Sequence, residues 1–289
     1  MARNGYHNLL ACLSFLFLFF TGELKATDFY YCEEDRVIFA CYLSAMKPNA
    51  GLSAQELIIE TALFFLHTPY VGATLEKEPE ELTVNLREMD CTTFVENVIS
   101  LTKTIRDGEP SFEKFCRNLQ QLRYRKGKIT GYTARLHYTT DWIYENERKG
   151  LIRDITKEAG GKPLPLNLSF MSEHPESYGQ LKDNAGRIAE IREKEKEISA
   201  RSCYYYIPKT EIDSLAHNIM SGDMIGFVTT IDGLDLSHVG IAYRENGKLT
   251  FIHASTSAAK SVIINEEPLS AYVKRIKTNR GIMIVRLLP

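Results

Sequence analysis

Between two apolar, strand-like runs, His238 to Tyr243 and Leu249 to Ala254, the chain reads Glu245-Asn246-Gly247-Lys248. Asn-Gly is the strongest short-range signal for a tight hairpin. Nothing else in the sequence restricts the fold as much, because a two-residue loop at Asn246 and Gly247 fixes the partner of every residue on both arms. Glu245 then faces Lys248, and His253 falls opposite Gly240. His238 becomes a diagonal neighbour of His253 on the same sheet face, within side-chain reach. A glycine at position 240 leaves room between the two imidazoles.

Far upstream, Glu88-Met89-Asp90-Cys91-Thr92-Thr93-Phe94-Val95-Glu96-Asn97-Val98 places a cysteine in the first turn of an amphipathic helix. Phe94, Val98, Leu101 and Ile105, with Val95 and Ile99 beside them, follow the helical period and give one buried stripe. Asp90 reads as the N-cap. A cysteine there feels the partial positive charge of unpaired amides, so its pKa is expected below the free value of about 8.5. Alone, a helix-start cysteine is more often a small core residue than a nucleophile, and a single strand histidine can be a satisfied core group. Together, Cys91, His238 and His253 have the make-up of a nucleophile, its base and the group that orients the base. The same three could ligate zinc, but no fourth ligand follows a metal-type spacing, and we expect no metal and no cofactor.

The chain opens with Arg3 in a short polar start, an apolar run from Leu9 to Phe20, polar Thr21 to Lys25 and small Ala26. This is the layout of a secretory signal peptide over 1–26, too short to span a membrane comfortably. Leu9-Leu10-Ala11-Cys12 superficially resembles a lipoprotein cleavage box, but cutting there would leave the most apolar stretch on the mature protein, so the mature chain is expected to start at Thr27, without lipid. The expectation is an exported, periplasmic protein with no integral membrane segment after cleavage. The formal net charge is −2, and losing Arg3, Glu23 and Lys25 changes it by one unit, so nucleic acid and anionic lipid are not suggested as partners. Five cysteines then remain, Cys32, Cys41, Cys91, Cys116 and Cys203. An odd count in an exported protein leaves at least one free thiol, and Cys91 is the candidate. Cys32 and Cys41 could bridge, but a chain this long does not need a disulfide scaffold.

Residues 27–289 fit a single domain. Helical patterns dominate Ser53 to His67 and Thr92 to Arg106, Lys162 to Pro165 break the chain, Arg187 to Ala200 is a charged helix with a solvated face, and the last quarter alternates strands with turns. Helices first and an antiparallel sheet afterwards make an α+β plan. The region 107–215 between the cysteine helix and the histidine-bearing sheet reads as a large, mostly helical insertion.

Asp90-Cys91 on a helix, Ser237-His238-Val239-Gly240-Ile241 on a strand and His253 on the next strand resemble the Cys-His-His signature of the NlpC/p60 superfamily of cell-wall hydrolases. Pro69-Tyr70 and Gly222-Asp223 resemble two further elements of that superfamily. Runs at Tyr70 to Glu76, Arg135 to Trp142, Phe170-Met171-Ser172, Gly233 to His238 and Ile252 to Ser255 are similar to the N-acetylmuramoyl-L-alanine amidase-like branch, in order over nearly the whole mature chain. The resemblance implies a papain-like core, with the nucleophile helix packed on an antiparallel sheet. It also implies cleavage of the amide between the lactyl group of N-acetylmuramic acid, in 1,6-anhydro form, and L-alanine of a muropeptide. In that scheme Cys91 attacks, His238 carries the proton and His253 fixes its tautomer, with the Cys91 amide and Tyr70 as oxyanion donors. On physical grounds Arg135, His137, Tyr138, Asp141 and Trp142 offer forked donors and flat faces suited to a sugar, although Tyr138 and Trp142 could equally be the buried edge of a helix. With the resemblance they are expected on the substrate side, together with Tyr70, Asp90, Met171, Ser172 and Ser237. Two other readings stay open. One is a peptidase cutting between D-glutamate and diaminopimelate, for which Asp90 would meet a free amine; the other is a binding module with a dead site. We take the protein as a monomer acting on a disaccharide-peptide.

Overall fold

The computed structural model describes residues 29–49, 51–256 and 260–288. The expected leader and its cleavage point lie outside the described residues. Among those described, nine α-helices and ten strands form a mixed α/β structure. The first half runs β1 (Phe29–Tyr30), α1 (Glu33–Met46), α2 (Ala54–Phe64), β2 (Leu82–Thr83), α3 (Cys91–Arg106), α4 (Phe112–Arg123) and α5 (Thr139–Arg148). Then come β3 (Ile152–Asp154), β4 (Lys162–Pro163), α6 (Phe170–Glu173), α7 (Ala185–Ser199), β5 (Tyr205–Pro208) and α8 (Ile212–Leu215). The chain finishes with β6 (Met224–Thr229), β7 (Leu236–Glu245), β8 (Lys248–Ala254), β9 (Val262–Ile264), α9 (Leu269–Arg275) and β10 (Asn279–Leu287). No helix among the described residues is long and apolar enough to cross a membrane.

The main sheet is antiparallel, in the order β4-β5-β10-β6-β7-β8-β9, with β3 paired to the far end of β10. Side chains alternate between its faces, as the pleat requires. Met224 and Val228 of β6 with Val239 and Ile241 of β7 join the larger core under α3, while Ile225, Phe227 and Phe251 face the smaller one under α9. The hairpin has the register expected from Asn246-Gly247: Glu245 pairs with Lys248 and Ile241 with Ile252. Asn246 and Gly247 both take positive φ, the backbone that such a turn needs.

The helix α3 starts where the sequence put it. Asp90 Oδ1 accepts from the Thr93 amide at 2.7 Å, and Thr93 Oγ1 accepts from the Asp90 amide at 2.9 Å, a reciprocal cap. Phe94, Val95, Val98, Ile99 and Leu101 are buried. Gly222 opens β6 with φ +90°, and a Cβ there would stand 2.7 Å from the Gln55 carbonyl oxygen, so only glycine fits. The next residue, Asp223, is buried and held by both nitrogens of an Arg286 fork at 2.7 and 2.8 Å.

Two expectations are corrected. Lys162 and Pro163 do not break the chain but pair with Tyr206 and Tyr205 as an edge strand, where a proline's missing N–H is harmless. The stretch 107–215 is helical in part and joins the sheet, because β3 and β5 pair directly with β10. The charged helix α7 is also more than solvated surface. Ile191, Glu195 and Ile198 are buried, and Glu195 Oε1 accepts from the Tyr138 hydroxyl at 2.7 Å and the Ser172 amide at 3.0 Å. Composition showed the charge, but only packing decides which charged residue turns inward.

Glu195→Ala leaves that buried hydroxyl and amide without their acceptor, which costs about 2–4 kcal/mol. Glu195→Gln, which keeps an acceptor, is expected to lose less. Urea midpoints of the two variants check this, and an alanine variant as stable as the parent contradicts the bond's role.

Candidate active site

Beyond the Ile241–Ile252 pair, the ladder joining β7 to β8 ends. The Ala242 amide donates toward β6, to the Asp223 carbonyl, so the alternation of an antiparallel strand turns the Val239 amide toward β8. There it meets the sulfur of Cys91 instead of a strand, and the Thr92 amide and hydroxyl also reach that sulfur. The cysteine at the start of α3 is thus seated in the parting of two strands, with backbone and side-chain donors around it.

His238 and His253 stand on one face of this parting. His238 Nε2 lies 2.6 Å from His253 Nδ1, with the rings nearly perpendicular at 82°. Glycine at 240 is required for this: a Cβ would sit 2.9 Å from the Ile252 carbonyl oxygen and 3.2 Å from His253 Cβ. Phe227 flanks His238, while Phe251 and Tyr272 flank His253. His253 is buried, and among the described residues its Nε2 has no hydrogen-bond partner. The bond between the rings leaves His238 Nδ1 as the nitrogen open to a thiol.

The electrostatics differ from the sequence expectation. Burial pushes the Cys91 thiol up to about 11, with the Asp90 charge adding to it, and the hydrogen bonds from Val239 and Thr92 only partly offset this. The N-terminal helix field is present but is outweighed by desolvation. Burial also lowers His238 to about 4, and burial plus its neighbour lowers His253 to about 3. At neutral pH the resting group is therefore a neutral thiol beside two neutral imidazoles. Tyr70 is pushed up to about 12, by burial first and then by Cys91 and Asp90, so its hydroxyl keeps its proton beside the thiol. The segment carrying it is tied to the stretch just before Cys91 by the Tyr70–Met89 bridge.

The remaining candidates separate into buried and open groups. Arg135 is buried and paired with Glu76 at 2.7 Å and Glu80 at 3.3 Å. Asp141 is buried between Arg125 and Arg201. Tyr138, Met171 and Ser172 form the frame around Glu195. In this structure the polar groups of Arg135, Tyr138, Asp141 and Ser172 bond mainly to protein partners, while Arg135 Nε makes no hydrogen bond among the described residues. Trp142 is also buried, its indole N–H donating to Glu96 at 3.2 Å, but its ring lines a small hollow together with His137. His137 packs against Tyr132, with ring centres 4.3 Å apart and the planes tilted by 42°, and burial lowers its pKa to about 3. Ser237 is exposed, and Asp90 Oδ1 is engaged in the helix cap. Sequence reasoning missed Tyr272, the Val239 amide, and the buried Glu96–Arg123 pair at 2.7 Å. A glutamate inside the apolar face of α3 was the available signal for that pair.

Because the thiol rests protonated, its alkylation by iodoacetamide is expected to rise with pH beyond 9, without levelling near neutrality. Mass spectrometry of the Cys91 peptide over a pH series reads this. A plateau reached by pH 7 would instead reveal a preformed thiolate–imidazolium pair.

Residues 60–282 match the family described as AmiA-like, N-acetylmuramoyl-L-alanine amidase-like. Among solved structures, the chain is 37% identical to an N-acetylmuramoyl-L-alanine amidase from Bacteroides uniformis, with a TM-score of 0.76 over 82% of this chain and 99% of that one. A Bacteroides fragilis protein provisionally named a xylanase is 39% identical, with a TM-score of 0.74 over 78% of this chain and 99% of its own. A Legionella pneumophila protein, 24% identical at a TM-score of 0.66 over 89% and 94%, shares the fold. Among curated proteins, none matches the chain.

Proposed function

The chain belongs to the N-acetylmuramoyl-L-alanine amidase-like family, and from that premise we propose that it hydrolyses the amide between the lactyl group of N-acetylmuramic acid and L-alanine in muropeptides, the 1,6-anhydro forms included, with Cys91 as nucleophile. The observation that carries this reading is the contact of His238 Nε2 with His253 Nδ1 at 2.6 Å, on the strands that part around Cys91. The helix-on-sheet placement of these groups supports a papain-like core of the NlpC/p60 kind. The export expected from residues 1–26 would bring the enzyme to peptidoglycan fragments outside the cytoplasm.

The geometry suggests the order of proton movements. His238 Nδ1 takes the thiol proton as sulfur attacks the lactyl carbonyl, so charge develops only when the substrate is in place. Through its Nε2–H, His238 donates to His253 Nδ1 throughout, and His253, too buried to charge, steadies the imidazolium as an acceptor. The Cys91 amide at the start of α3 and the protonated Tyr70 hydroxyl are the candidates for holding the oxyanion. His238 then protonates the departing alanine nitrogen, and a water deprotonated by His238 hydrolyses the thioester. A xylan-cleaving site would instead need two free carboxyl groups across a glycosidic bond. Here the nearby carboxylates are Asp90, which caps α3, and Glu96, which is bonded to Arg123 and Trp142.

Two measurements check the reading. Incubation with an anhydro disaccharide-peptide, its reducing-end counterpart and the sugar-free tetrapeptide should release intact peptide from the saccharides, with no release by Cys91→Ala. Cleavage inside the tetrapeptide would replace the amidase by the peptidase. His253→Ala should lower turnover by about a hundredfold or more, in the range of acid–base catalysis, while His253→Asn and His253→Gln retain more by keeping one bond to His238. Equal losses in all three would remove the orienting role.

A further inference from the structure

The hollow beside Cys91 has room for a single small group. Its floor is Val95, Leu136, Trp142, Met224 and Val239, and its volume is about 20 Å³, the space of one water or one methyl. Thr92, His137 and Thr139 form its rim. Two of these residues, Thr92 and Val239, also neighbour the Cys91 sulfur, so whatever enters lies close to the attacking atom.

The chemistry of the lining selects an apolar occupant. Glu96, at the back, has one carboxylate oxygen on Arg123 and the other on Trp142. His137 is neutral and its Nε2 is bonded to the Tyr132 carbonyl. Among the described residues, the buried polar atoms that lack a partner include none from this lining. A water there would find few partners, whereas a methyl group would fill the space without cost.

We propose that this hollow is a methyl-recognition subsite for the branched carbon flanking the scissile amide, an inference that rests on the amidase reading above. Both sides of that amide carry such a methyl, one on the lactyl group and one on L-alanine. The shared requirement is a branch of one carbon, seated against Val239 and Leu136, which fixes how the carbonyl meets the sulfur. Seating it is a positioning effect, so it acts on kcat/KM more than on binding of the remote sugar or peptide.

The test compares the intact enzyme on disaccharide-peptides that differ at one carbon. One series places glycine, alanine, 2-aminobutyrate or valine after the amide; the other replaces the lactyl group by its methyl-free glycolyl counterpart. Adding or removing one carbon in an apolar pocket changes kcat/KM about 10–200-fold. Losses for glycine and valine with the glycolyl compound unaffected assign the site to the alanine methyl, and the reverse assigns it to the lactyl methyl. Rates within threefold across both series overturn the subsite while leaving the amidase reading intact. Failure to cleave the alanine parent at this amide overturns both. Leu136→Ala should relax the preference in whichever series responds, raising 2-aminobutyrate relative to alanine or the glycolyl compound relative to the lactyl one, and if that variant does not fold, Thr139→Ala serves the same purpose. An unchanged preference in both series for the folded variant places the selectivity elsewhere and refutes the assignment.

Discussion

Two neighbouring strands cannot stay paired and also admit a side chain between them, and this site is built on that incompatibility. The β7–β8 ladder is intact from the Asn246-Gly247 turn to Ile241 and Ile252, then opens. Opening frees the Val239 amide from the ladder, and an unpaired buried amide is costly. The Cys91 sulfur lies close enough to this amide for it to favour the thiolate, so the start of α3 sits at the gap where the two strands separate. The histidines ride on the two lips of the same gap, and their separation is set by Gly240, where any larger residue would press on the Ile252 carbonyl. Cys91, His238 and His253 are thereby positioned by one local departure from sheet regularity.

Much of this was legible because it depends on local rules. The turn residues fixed the hairpin register, the period of Phe94, Val98 and Leu101 fixed the buried face of α3, and Asp90 fixed its start. All three rest on interactions within a few residues of one another along the chain or across one turn. What could not be read depends on distant segments meeting. Arg135 looked like a free donor because its partners, Glu76 and Glu80, lie some sixty residues earlier. Glu195 looked solvated because the groups that claim it come from α5 and α6. The thiol's pKa was misjudged for a related reason: the helix field is a property of local sequence, but desolvation is a property of everything packed around the sulfur, and here it dominates.

That desolvation has a chemical use. A preformed thiolate is open to oxidation, since the thiolate is the reactive form. A neutral thiol beside an imidazole held to about 4 is quiet until a carbonyl arrives to accept the sulfur's electrons. The cost is that the attack step itself must separate charge. The neutral His253, bonded to His238, and the donors around Cys91 are placed to reduce that cost without lowering the resting pKa below neutrality.

The region between α3 and β6 takes part in this arrangement instead of decorating it. It adds β3 and β5 to the sheet edge through β10, and it supplies Leu136, His137, Thr139 and Trp142 to the hollow beside the nucleophile. Helix α5, which carries two of these, is held at its start by Asp235, whose Oδ2 accepts from the Thr140 amide at 2.7 Å and hydroxyl at 2.8 Å. Asp235 lies in the chain segment leading into β7, three residues before His238. The strand that carries His238 is therefore also tied to the helix that walls the hollow. Catalytic geometry and the shape of the pocket are coupled through a single buried carboxylate, and variation in the inserted segment can retune selectivity only within the limits that this anchor sets.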